Sequence, residues 1–178
     1  MTEKNRLLFS RILALIGVIA ISVFIFAIRD RAVEYKKYGY VGVFIISFMA
    51  YATVILPAPG VALIAAISTV MNPLWVGVVA GLGAAGGEIV GYAAGYSGRG
   101  LAEKAKMYER LVSLTNRFGL WVVFILAVIP NPIFDLAGAA AGTLKMRIVP
   151  FFLVCWAGET LKMLAFAYGG SRLLGLFN

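Results

Sequence analysis

The sequence contains no histidine and a single cysteine, Cys155. The first absence excludes imidazole acid–base chemistry, Ser-His-Asp triads and histidine metal ligands. The second excludes an intramolecular disulfide and a cysteine-based zinc site. The apolar residues around Cys155 mark it as a small packing residue. Charge is scarce as well. Only 13% of the 178 residues are Asp, Glu, Lys or Arg, against about 25% in a soluble domain whose surface must be solvated. No glycine run is followed by Gly-Lys-Ser/Thr, which excludes a phosphate loop and with it a nucleotide-driven pump. No nucleophile–base pair or metal-ligand constellation is visible, so no enzymatic activity, cofactor or metal is expected.

What the chain does have is apolar length. It is 62% hydrophobic, with a mean hydropathy of +0.93. The expectation is an all-α integral membrane protein, a single membrane domain over residues 1–178. Its net charge is +8 and its pI about 9.8. The basic residues lie between apolar runs, so anionic lipid headgroups are the expected partners and nucleic acid is not.

Residues 1–38 read as an N-terminal span and an interfacial segment. Lys4, Arg6 and Arg11 precede an apolar run over 12–28. That run is longer than a cleavable signal would need and lacks a small-residue cleavage site. Charged and aromatic residues over 29–38 suit a helix end at the membrane surface.

Residues 39–97 form a first unit. An apolar block is interrupted at Leu56-Pro57-Ala58-Pro59-Gly60, and a long glycine-rich segment with Glu88 inside it follows. Two prolines and a glycine in five residues predict a non-helical turn at Pro57, Pro59 and Gly60. Residues 98–117 predict an amphipathic helix in the interface. Leu101, Ala105, Tyr108, Leu111, Val112 and Leu114 recur at helical spacing, with Glu, Lys and Arg on the other face. Residues 118–172 form a second unit. Its block breaks at Pro130-Asn131-Pro132, and Asp135 follows. A last apolar run then carries Glu159 and Lys162.

An arm of ten residues spans roughly 15 Å and cannot cross a bilayer. If both broken blocks turn back as re-entrant hairpins, the N-terminus, residues 98–117 and Lys145/Arg147 share one side. That side then holds most of the Lys and Arg, as the positive-inside rule prefers. The opposite loop, 29–38, still carries four Lys/Arg against two acids. The two units also correspond. Pro57 and Pro59 precede Pro130 and Pro132 by 73 residues, and Glu88 precedes Glu159 by 71. Tyr96 and Arg99 match Tyr168 and Arg172, and Arg99 and Arg172 would sit at the interface. With one hairpin entering from each side, this is an inverted repeat, an arrangement used by transporters with a site where broken segments meet.

Glu88, Asp135, Glu159 and Lys162 lie inside apolar segments. A charge at the bilayer centre costs at least roughly 2.5–3.5 kcal/mol, so these groups should face protein, water or each other. They are the candidate substrate path or coupling site. Glu159 and Lys162, three apart, would also neutralise each other without any transport role. Asp135 would cap the second hairpin arm, hold the hairpin to a partner or bind a cation. Asn131 would satisfy backbone groups at the turn. The many glycines of 77–95 favour close helix packing and say little of substrate.

At Pro57-Ala58-Pro59-Gly60, Gly83 to Gly100 and Ile129-Pro130-Asn131-Pro132-Ile133-Phe134-Asp135-Leu136-Ala137-Gly138, the chain resembles the DedA/VTT membrane family. The last block resembles its vacuole membrane protein branch. The resemblance covers residues 38–172. It implies two facing re-entrant hairpins and transbilayer movement of phospholipids or lipid carriers, in a scramblase- or flippase-like role. Many DedA members carry an acid where this chain has Val61, and arginines where it has Ala127 and Phe134. Those departures favour the scramblase-like version. The alternatives are an ion-coupled transporter of a small solute, with protons or other cations as partners, and a non-catalytic assembly or scaffold protein. The expected location is the plasma membrane of a prokaryote, multi-pass, and self-association into a homo-oligomer is compatible with the sequence.

Overall fold

A computed structural model describes residues 38–52, 57–97, 106–131 and 133–175. The expected N-terminal span, residues 98–105 and Pro132 lie outside the described residues. Within them the chain is entirely helical. The helices are α1 (Gly39–Ala52), α2 (Pro57–Ile67), α3 (Pro73–Tyr96), α4 (Lys106–Phe118), α5 (Leu120–Val128), α6 (Phe134–Thr143) and α7 (Ile148–Gly175).

Local chemistry sets the boundaries. α3 starts where the Asn72 side chain accepts a hydrogen bond from the Leu74 amide at 3.0 Å, with Pro73 next in the first turn. Proline is tolerated there because a first-turn amide has no partner inside the helix. The same reasoning corrects one expectation. The turn predicted at Pro57, Pro59 and Gly60 is not there: α2 begins at Pro57, and all three residues fall in its first turn. α4 and α5 meet at Gly119, whose φ of +63° suits glycine and lets one helix stop and the next begin with no loop. α6 ends with Lys145 at φ +51°. The Lys145 amide donates to Gly142 and the Met146 amide to Ala141, which closes the last turn around that left-handed residue.

α3 lies at the centre, packed against α7, α1 and α6. Its glycines make these contacts close on three faces. A Cβ on Gly77 or Gly81 would strike Leu164 or Thr160 of α7. One on Gly83 or Gly87 would strike the backbone of α1, and one on Gly95 the backbone of Ala139 in α6. Small residues permit this approach where no bulk solvent drives helices together.

The contacts pair off between the two halves. α1 packs on α3 as α5 packs on α7, and α2 packs on α7 as α6 packs on α3. Gly87 rests on Phe48 and Ala52, and Gly158 on Phe124, Ala127 and Val128. The Ser68 hydroxyl, just past α2, donates to the Ala167 carbonyl of α7 at 2.8 Å. The Thr143 hydroxyl, at the end of α6, donates to the Gly95 carbonyl of α3 at 3.3 Å. Each core borrows from the other half: Met163 completes the cluster of Val43, Ile64 and Val76, while Ala85 and Tyr92 join that of Val123, Phe134 and Phe151.

α1 and α5 show apolar stripes outward, Val41, Ile45 and Met49 on one and Trp121, Ile125 and, just beyond, Ile129 on the other. α2 and α6 are largely buried, through Ile64 to Ile67 and through Phe134, Ala137, Ala140 and Ala141. α3 and α7 are long and apolar enough to cross a membrane. α4, over Lys106–Phe118, is amphipathic as expected. Its apolar residues Tyr108 and Leu111 are buried against α6, with the Tyr108 hydroxyl 2.5 Å from that of Thr143. Glu109, Arg110, Asn116 and Arg117 face outward. Protein thus covers Tyr108 and Leu111, while Leu114 and Phe118 show exposed apolar surface among the described residues of α4.

A Cβ at Gly142 would overlap the Tyr92 carbonyl and the Tyr96 amide, whereas one at Gly169 meets nothing within 4 Å. Gly142→Ala should destabilise by about 1–3 kcal/mol or more. Gly169→Ala should be neutral or stabilise by up to about 1 kcal/mol. Thermal unfolding in detergent separates the two, and equal midpoints would contradict this packing.

A candidate charged site where the hairpins meet

Glu88, Glu159 and Lys162 are 2%, 0% and 5% exposed, and they are the buried charged residues among those described. α3 carries the first and α7 the other two. Glu159 and Lys162, three apart on one face, form an ion pair with Nζ 2.6 Å from Oε1. The Lys162 ammonium also lies over two rings, 5.1 Å from the centroid of Tyr51 and 5.5 Å from that of Phe134. Tyr51 is at the end of α1 and Phe134 at the start of α6, so one side chain of α7 touches a helix from each half.

Glu88 approaches from the other side. A Cβ built on Gly138 of α6 would lie 3.2 Å from its Oε2, and the adjacent Gly87 packs on Tyr51 and Ala52. Of the four charges singled out in the sequence, Glu159 and Lys162 are paired on α7, and Glu88 is buried on α3 beside Gly138 of α6. The side chain of the fourth, Asp135, lies outside the description, although its backbone adjoins Phe134 in the first turn of α6.

The second turn is held by Asn131. Its Nδ2 donates to the carbonyls of Leu126 at 3.0 Å and Ile129 at 2.7 Å, and its Oδ1 accepts from the Ile133 amide at 3.0 Å. Pro130 and Asn131 are non-helical and separate α5 from α6. Arg172 is exposed in the last turn of α7, and Arg99 lies outside the described residues. Sequence reasoning passed over the two rings around Lys162. An aromatic inside an apolar block carries no signal of its own, and only the nearby prolines, Pro57 and Pro59 for one and Pro130 and Pro132 for the other, point to Tyr51 and Phe134. No group of three His, Cys, Asp or Glu suited to a metal occurs among the described residues.

Removing one member of a buried ion pair leaves a bare charge and costs about 3–5 kcal/mol, while replacing both with apolar groups is often neutral or stabilising. Lys162→Met should therefore destabilise by about 3–5 kcal/mol, and Glu159→Leu combined with Lys162→Met should recover most of that. A double-mutant cycle on unfolding in detergent measures the coupling. Additive losses would mean the pair is not the unit described.

A family model described as the VTT domain matches residues 56–172. No curated protein and no solved structure matches the chain. The family is membrane-associated, is often proposed to act in transport or lipid flipping, and is not a known enzyme family. The match spans α2 to α7 and all three buried charges, and this chain belongs to the VTT domain family.

Proposed function

We propose that this protein moves phospholipid or lipid-carrier molecules between the leaflets of a membrane, in a scramblase- or flippase-like manner. One observation carries the proposal: Glu88 on α3 and the Glu159–Lys162 pair on α7 are buried within the two helices long enough to span a bilayer, and Lys162 lies over Tyr51 at the end of α1 and Phe134 at the start of α6. Buried charges at such a depth are costly and mark polar paths. A headgroup needs such a path, whereas the acyl chains can stay in lipid. The apolar stripes of α1 and α5 suit contact with those chains.

In this reading the α1–α2 and α5–α6 pairs are re-entrant hairpins. Arms of 14, 11, 9 and 10 residues are too short to cross singly. The burial of α2 and α6 supports it, since non-helical backbone at depth must be shielded by protein or water. The matched contacts of the two halves support an inverted repeat, with the protein multi-pass in a prokaryotic plasma membrane. The block from Ile129 to Gly138 supports the vacuole membrane protein branch.

The protein reconstituted in liposomes should equilibrate fluorescently labelled phospholipids across the leaflets well above the rate of empty liposomes. Glu88→Gln should slow this about tenfold or more while the protein stays folded. No acceleration with several lipid classes would sink the proposal. Uptake of a solute that follows a pH or sodium gradient would favour an ion-coupled transporter instead. For the topology, single cysteines on a Cys155→Ser background at Met71 and Lys145 should label from opposite sides. Labelling from one side would overturn the inverted arrangement.

A further inference from the structure

α6 brings Gly138 beside Glu88 and Phe134 beneath Lys162. Its neighbours are chiefly α3, α4 and α5. The hold of α4 on it is slight. Tyr108, Leu111 and Thr115 are the buried side chains of α4 among those described. Tyr108 and Leu111 cluster with Ala140. The Tyr108 hydroxyl lies 2.5 Å from that of Thr143, which in turn reaches the Gly95 carbonyl. One short chain of hydroxyls therefore joins α4, α6 and α3. Against this, the Thr115 hydroxyl is buried with no hydrogen-bond partner. That opposes docking, because water would satisfy the hydroxyl once α4 moved away. Gly119 alone joins α4 to α5. Its φ is +63°, and a Cβ there would meet nothing within 4 Å. Glycine in open space can turn without a clash.

The surface of α4 shows where it would go. Leu114 and Phe118 extend its apolar face and are exposed. Arg110 and Arg117 are exposed on its polar side, as are Lys145 and Arg147 just past Thr143, against the single acid Glu109. An amphipathic helix with cations on its polar face is drawn to an anionic leaflet. We propose that α4 is a detachable strap that senses anionic lipid at the membrane surface. Docked, it holds α6 against α3. Released, it lies in the surface with Tyr108 and Leu111 in lipid, and it uncovers the flank of α6 at Ala140. The same two side chains serve both states, so the states exclude each other. Anionic lipid favours release because the cations come nearer the headgroups when the whole apolar face is in lipid. The inference rests on the lipid-movement reading and adds its regulation: release of α4 loosens the arm that packs on Glu88 and Lys162.

Spin labels on cysteines at Asn116 of α4 and Val90 of α3, both exposed, follow the strap in the full-length Cys155→Ser protein. Double electron–electron resonance in phosphatidylcholine liposomes should show mainly one separation. Added phosphatidylglycerol should raise a second population at least about threefold. Tyr108→Phe loses a docking bond and should raise that population about three- to tenfold. Thr115→Val removes the unsatisfied hydroxyl at nearly constant shape and should lower it by a similar factor. A single separation throughout, or populations indifferent to phosphatidylglycerol, overturns the proposal. If Tyr108→Phe does not fold, Thr115→Val and the lipid dependence decide. Lipid movement should follow the released population, faster in Tyr108→Phe and slower in Thr115→Val. Rates that ignore a moving strap overturn its regulatory role. A strap that responds as described in a protein that moves no lipid would leave the switch standing and remove the lipid-movement reading.

Discussion

Close backbone approach to α3 is the constraint on which the rest of the fold depends. Glycine on three faces of one helix allows α7, α1 and α6 to touch it at once. A methyl group at Gly83, Gly87 or Gly95 would push a neighbour away, and dispersion contacts fall steeply with such gaps. Glu88 sits one residue from Gly87. The separation of α3 from α1 and α6 therefore also sets how near its carboxylate comes to Tyr51 and Gly138. Packing and the placement of charge are one problem in this molecule.

The second requirement is that short helices leave their end groups provided for. Each hairpin contributes an outer arm that shows apolar side chains and an inner arm that is buried. At the second turn Asn131 makes three hydrogen bonds to backbone groups. The inner arms are tied at their far ends by Ser68 and Thr143 to carbonyls of the long helices. The loop after α6 is tied by the Tyr92 hydroxyl, which donates to the Met146 carbonyl. Apolar area alone would not fix these positions, because lipid is as apolar as the side chains it replaces.

Much of this was legible in the sequence. The long helices stood out as apolar runs with clear stops, Asn72-Pro73 before α3 and Ser97 after it. The buried charges stood out as rarities in apolar surroundings, and Pro130-Asn131-Pro132 marked a real break. What failed did so for physical reasons. The rule that prolines end helices has an exception in the first turn, and Pro57 and Pro59 use it. Periodicity reveals that α4 has an apolar face, but not that α6 covers it. The rings of Tyr51 and Phe134 look like any other core aromatics until a charge is placed between them. Matched features of the halves differ in offset, 73 for the prolines, 71 for the glutamates and 76 for Phe48 and Phe124. Spatial correspondence survives such slips because helix contacts recur every turn.

The exchange of inner arms has a consequence of its own. α2 lies on the long helix of the second half and α6 on that of the first, and each core cluster includes residues from across the divide. Neither half holds a complete interior, so the two are interlocked in the manner of a swapped dimer joined into one chain. Unfolding cannot proceed half by half. What keeps the halves together is the mutual loan of a helix.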